Sequence, residues 1–150
     1  MSWQQLLASR RVQPHTTHAQ ELQGLRTVVA RDLKDAALPD LSVDRRFTIA
    51  HNAVLQLATM VIACTGYRVR GAGHHHTTFE ALELAMGPSI TAHAVYFDTC
   101  RRKRNLVDYD VANVITETEA RELVEKAHDF HQLVEAWITQ HYPTFTPSPF

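Results

Sequence analysis

Four consecutive cations, Arg101-Arg102-Lys103-Arg104, run directly into Asn105, two apolar residues and then Asp108-Tyr109-Asp110. Arginine presents a planar fork that grips phosphate bidentately, and tyrosine can stack on a base or donate through its hydroxyl. If the segment is helical, Arg101, Arg104 and Asp108 share one stripe, while Arg102, Asn105 and Tyr109 share the next. The two stripes then set guanidinium forks, an amide and a phenol side by side, which suits the binding of phosphate groups. Four like charges in a row also repel one another along a helix and need offsetting partners. The acidic stretch 117–125 is one such partner and a bound anion is the other; a plain solvated charge run is the competing reading.

Other reactive side chains carry weaker signals. His74-His75-His76 follows Gly73, but three consecutive histidines cannot all face one ion without a tight turn, and no Asp, Glu or Cys lies just before them. They read as a polar loop, with His75 and His76 able to contact phosphate when protonated. Cys64 and Cys100 are too few for a disulfide framework and read as buried thiols, although the cations after Cys100 would lower its pKa. His128 and His131 are neighbours on one helix surface and lack a matching carboxylate. No metal and no cofactor is called for.

The elements that must position these residues are helical nearly throughout. The chain has 150 residues, of which 45% are hydrophobic and 21% charged, which suits one folded domain with its own core. Residues 17–37 carry Leu22, Leu25, Val28, Val29 and Leu33 on one stripe, and Pro39 ends that helix. The next helix, capped by Ser42 or Asp44, carries Phe47, Ala50, Val54, Leu57, Val61 and Ile62 and closes at Gly66; it is the most apolar segment and should be central. Residues 66–76 read as the longest ordered loop, and 67–70 are too short to count as a strand. Thr77 with Glu80 reads as a capping box, Ser89 as the cap of the helix entering the basic run, and Thr116 with Glu119 as a second box. The last helix carries Ala120, Leu123, Ala127, Phe130, Val134, Trp137 and Ile138, and residues 143–150 are expected to form a flexible tail. The sum is an all-α antiparallel bundle of about five helices in a single domain, 1–150, with its core at about 16–142. No apolar run approaches the roughly 18 residues of a membrane span and nothing marks the N-terminus for export, so a cytoplasmic protein of bacterial type with no membrane partner is expected.

Net charge is −1, but it is unevenly placed. Residues 67–104 hold six basic and three acidic side chains, whereas 105–150 hold two basic and eight acidic ones. A basic middle before an acidic end would attract a polyanion locally, or would pair internally between neighbouring elements.

The stretch from Arg104-Asn105 to Tyr109-Asp110, set in a small all-α chain, resembles the motif of the HEPN (higher eukaryotes and prokaryotes nucleotide-binding) superfamily. That motif is an arginine, four to six residues, then a histidine, with a polar residue often following the arginine. Residues 52–65 resemble the family's long apolar helix, and residues 66–70 with 74–79 resemble the loop and helix of small bacterial members. The likeness spans roughly residues 16–142 and implies a bundle of four or five helices that pairs as a homodimer, with the motif in a shared cleft. Carried over, the motif arginine is Arg104, its polar neighbour is Asn105, and the histidine position holds Tyr109. The resemblance marks Arg104, Asn105 and Tyr109 as the catalytic set, if there is activity. Arg101, Arg102, Lys103, Arg104, Arg68 and Arg70 form the expected nucleic-acid-binding set.

Family members include metal-independent ribonucleases of toxin–antitoxin and defence systems, some restrained by a nucleotidyltransferase antitoxin partner. Others have lost the motif and act as binding or assembly modules. Cleavage by 2′-hydroxyl attack wants a base with a pKa near neutrality, and tyrosine's ordinary value of about 10 suits it poorly. The expected function is therefore RNA or nucleotide binding without efficient catalysis. The alternatives are an endoribonuclease toxin using a variant Arg–Tyr motif and a non-catalytic dimerisation module.

Overall fold

A computed structural model describes residues 1–71, 74–108 and 114–147. The helices are α1 (Trp3–Ala8), α2 (Ala19–Ala36), α3 (Val43–Cys64), α4 (His74–Met86), α5 (Thr91–Asp108) and α6 (Glu117–His141). Two short strands, β1 (Val12–Pro14) and β2 (Tyr67–Val69), pair antiparallel with Val12 opposite Val69 and Pro14 opposite Tyr67. The described residues form an all-α bundle of five long helices, with one short helix and this ribbon attached.

α3 is the axis. It packs against α2, α4, α5 and α6, and it is buried around most of its circumference, as expected of a helix apolar on every side. By length and composition α3 would suffice to cross a membrane, contrary to the expectation that no run comes close. However, 72% of its most apolar window is buried inside the bundle, which marks a core helix. Phe47, Leu57, Phe97, Leu123 and Phe130 form the centre of the main core. Phe97 lies 5.0 Å from Phe130, ring centre to ring centre, and 6.2 Å from Phe79. Leu6, Val12, Ile62 and Ala81 make a smaller core under the ribbon, flanked by Trp3, Tyr67 and Val69.

Polar clamps fix the helix pairs. The buried Asp32 accepts from Asn52 Nδ2 at 2.6 Å, joining α2 to α3. Arg26 grips Glu135 through two bonds, of 2.7 and 2.9 Å, joining α2 to α6. Arg46 grips Glu117 likewise, joining α3 to the first turn of α6. That turn is closed by the expected capping box: Thr116 Oγ1 accepts from Glu119 N at 3.1 Å, and Glu119 Oε1 accepts from Thr116 N at 3.0 Å.

Four local readings are corrected. Residues 67–69 form a strand, because Tyr67 and Val69 reach the smaller core while β1 supplies backbone partners from far back in the chain. α4 begins at His74, so Thr77 is no cap. It is buried and accepts from Arg11 Nε at 3.0 Å, and Glu80 pairs with Arg11 and His76. Ser89 lies within a 3-10 turn, Pro88–Ile90, that leads into α5. The start of the supposed flexible tail is a second 3-10 turn, Pro143–Phe145, held by Arg26 Nη2 donating to the Phe145 carbonyl at 2.7 Å.

Candidate nucleic-acid interface

The basic run occupies the C-terminal half of α5, and the helix separates it into inner and outer stripes. Arg101 and Arg104 turn inward, while Arg102 and Asn105 are exposed. Asp98, one turn earlier, gathers much of the charge: it accepts from Arg101 Nε at 2.7 Å and from Arg102 Nη2 at 3.4 Å, and it meets His76 Nδ1 of α4 at 3.3 Å. Burial by itself would raise the Asp98 pKa, but the bonds from Arg101 and His76 prevail and hold the carboxyl below its ordinary value. Lys103 pairs with Glu119 of α6, inside the acidic stretch 117–125. The four cations thus find much of their compensation within the chain.

Arg104 is treated differently. Its Nη1 approaches Nδ1 of His51 on α3 at 3.4 Å. His51 is fully buried, and its Nε2 lies 3.0 Å from the Phe97 carbonyl oxygen. A carbonyl can only accept, so Nε2 carries the hydrogen and Nδ1 presents a lone pair to the guanidinium. Burial, chiefly, and the nearby Arg104 push the His51 pKa down to about 4, despite the opposing bond to Phe97. The imidazole is therefore neutral at physiological pH and braces a cation without adding charge. The edge of the Phe79 ring closes the pocket, with centroids 5.8 Å apart. The result is a guanidinium steadied by a neutral acceptor beside an exposed amide, an arrangement able to hold phosphate oxygens.

A family profile, that of the HEPN_SAV_6107-like HEPN domain, matches residues 37–135, about two thirds of the chain. The chain belongs to the HEPN superfamily. Among curated proteins and among solved structures no match was found. The matched HEPN segment contains α3, α4, α5 and most of α6, hence the whole Arg104 site, and membership ties the chain in general terms to nucleotide- and RNA-related function.

The remaining expected residues of this HEPN domain fall in several places. Tyr109, at the family's histidine position, lies outside the described residues. Arg68, in β2, and Arg70, just after it, are exposed, and β2 packs on α3, α4 and β1 rather than beside the basic run. His76 bridges Glu80 and Asp98, and among the described residues no group of three or more His, Cys, Asp or Glu side chains is placed to hold a metal. Cys64 and Cys100 are buried free thiols. Burial raises both to about 11, which corrects the expectation that the cations after Cys100 would lower its pKa. Sequence reasoning missed His51. Its one available signal was a lone histidine inside the most apolar helix, a position that demands a partner for each ring nitrogen.

Proposed function

We propose that the protein binds single-stranded RNA or a nucleotide through its phosphate groups, with Arg104 and Asn105 as anchors and Arg102 as an outlying cation. The observation that carries this reading is the Arg104 guanidinium braced by neutral His51 next to exposed Asn105 at the end of α5. Membership in the HEPN superfamily supports the ligand class. Binding without efficient catalysis fits the chemistry. The motif position after Arg104 holds tyrosine instead of histidine, and His51 is fully buried, so its ring cannot take a proton from a 2′-hydroxyl.

A homodimer belongs to the same reading. Val95, Thr99, Arg102 and Leu106 share one exposed stripe of α5, with Val95 58% and Leu106 46% exposed. A second copy covering this stripe would place two motifs in one cleft. A toxin–antitoxin or defence setting with a nucleotidyltransferase partner is part of the proposal and rests on the family resemblance alone.

The test is a titration of labelled single-stranded RNA at low and high salt. Wild type should bind at low salt and weaken steeply as salt rises, and Arg104→Ala should lose most of the affinity while remaining folded. Absence of binding at low salt, or an Arg104→Ala protein that binds as wild type does, would overturn the proposal.

A further inference from the structure

The family match begins at residue 37, and the chain before it supplies α1, β1 and α2. Where this preceding segment meets the matched domain there is a cavity of about 320 Å³, far from the basic run in the chain and built from other elements. Leu25 of α2, Ile62 and Ala63 of α3 and Val69 of β2 give it apolar walls. Its size falls at the lower end of small-molecule sites, roughly 300–1,000 Å³.

The walls are pre-formed. Tyr67, also lining the cavity, stacks on Trp3 with ring centres 4.4 Å apart and planes within 8°. The backbone N–H of His15 donates to the Gly66 carbonyl at 2.8 Å, which pins the entry of the ribbon.

Most polar groups around the cavity are already satisfied. Glu21 accepts from Thr17 Oγ1 at 2.6 Å and meets His15 Nε2 at 2.8 and 3.0 Å. These bonds, Thr17 first, hold its carboxyl below the ordinary value. Thr59 Oγ1 donates to the Leu55 carbonyl at 2.8 Å within its own helix. Among the charged side chains of the lining Arg68 stands apart: it is exposed and has no side-chain hydrogen bond or ion pair among the described residues. Arg11, Arg26, Arg46 and Arg101, by contrast, all grip carboxylates. An apolar slot with a rigid ring in its wall and one uncompensated guanidinium calls for a ligand with a flat apolar body and a single anionic head.

We propose that this cavity binds a small aromatic anion, its ring between Leu25, Ile62 and Val69 and its phosphate or carboxylate on Arg68. The same chemistry is offered by a purine mononucleotide and by a free aromatic acid. Methyl NMR on the full chain, following Leu25, Ile62 and Val69, tests this with AMP, indole-3-acetate and uncharged adenosine as probes. At least one of the two anions should shift these methyls saturably, and adenosine should bind at least about tenfold more weakly than AMP if AMP is the one. A preference for AMP assigns a nucleotide, and a preference for indole-3-acetate assigns a carboxylate. Arg68→Gln should weaken the binding about tenfold or more. Thr59→Trp, at an exposed position on the cavity rim, should block it. Silence of the methyls toward both anions at about 10 mM, adenosine binding as tightly as AMP, or unchanged affinity in Arg68→Gln would each overturn the proposal. Because Arg104 takes no part, this outcome is independent of the RNA titration.

Discussion

His51 and Arg104 lie 53 positions apart in sequence, yet Nδ1 of the first and Nη1 of the second are 3.4 Å apart at the meeting of α3 and α5. The imidazole has one N–H, and the Phe97 carbonyl claims it, so the ring's tautomer is set by the backbone of the same helix that carries the arginine.

Two substitutions of His51 separate its two contacts. Glutamine keeps a donor near Nε2 for the Phe97 carbonyl and loses the acceptor facing Arg104. It should remain folded but weaken RNA binding by roughly 0.5–1.5 kcal/mol. Asparagine keeps an acceptor near Nδ1, but it loses the bond to the Phe97 carbonyl, which is left with its place in the α5 ladder alone, and it empties part of the imidazole's buried volume. It should destabilise the fold by about 1–3 kcal/mol with little effect on affinity in the folded fraction. RNA titration beside urea denaturation reads both, and the opposite pattern would refute the bracing role.

The same histidine predicts a pH dependence of stability. Its folded pKa of about 4 lies below the ordinary value of 6.5, so the unfolded chain binds the proton first as pH falls. Stability should be fullest above about pH 6.5 and decline progressively toward about pH 4, by a total on the order of 3 kcal/mol from this group. Urea midpoints at about pH 7 and about pH 5 should show the loss, and His51→Gln should show less of it.

Lys103 is compensated by Glu119, which also caps α6. Glu119→Gln keeps an acceptor for the Thr116 N–H while removing the opposing charge. RNA affinity at low salt should therefore rise, with stability changing by no more than about 1 kcal/mol. A fall in affinity would show that Glu119 orients Lys103 toward the ligand. Arg102→Ala should instead reduce the steepness of the salt dependence by about one phosphate contact.

Phe97 is fully buried among Phe79, Tyr96 and Phe130. Phe97→Ala should cost about 3–5 kcal/mol in chemical denaturation through lost contacts and a cavity. The carbonyl that anchors His51 belongs to the backbone and survives this substitution, so the folded fraction should bind RNA about as wild type does.

Both thiols are buried and held near 11. Reaction with a thiol-specific disulfide reagent at about neutral pH should be slow in the native protein and complete in denaturant. Rapid native labelling of Cys100 would contradict its burial in the core.

Helix-forming stripes were legible in the sequence because a 3.6-residue period reports only which face of a helix turns inward. The stripe of Phe47, Ala50, Val54 and Leu57 identified α3 as central, and Thr116 with Glu119 announced the start of α6, since a capping box involves residues three apart. The stripes of the basic run, Arg101 and Arg104 against Arg102 and Asn105, were readable for the same reason. Every feature that joins distant residues was settled by the tertiary structure. The ribbon needs Val12 beside Val69, Thr77 is buried because Arg11 reaches it, and the cavity exists only where α2 and β2 meet the end of α3. The brace on Arg104 belongs to this second class. The sequence shows an arginine motif with tyrosine where the family has histidine, and the packing of α3 against α5 brings a different histidine to that arginine, buried and held neutral by the loss of water around it.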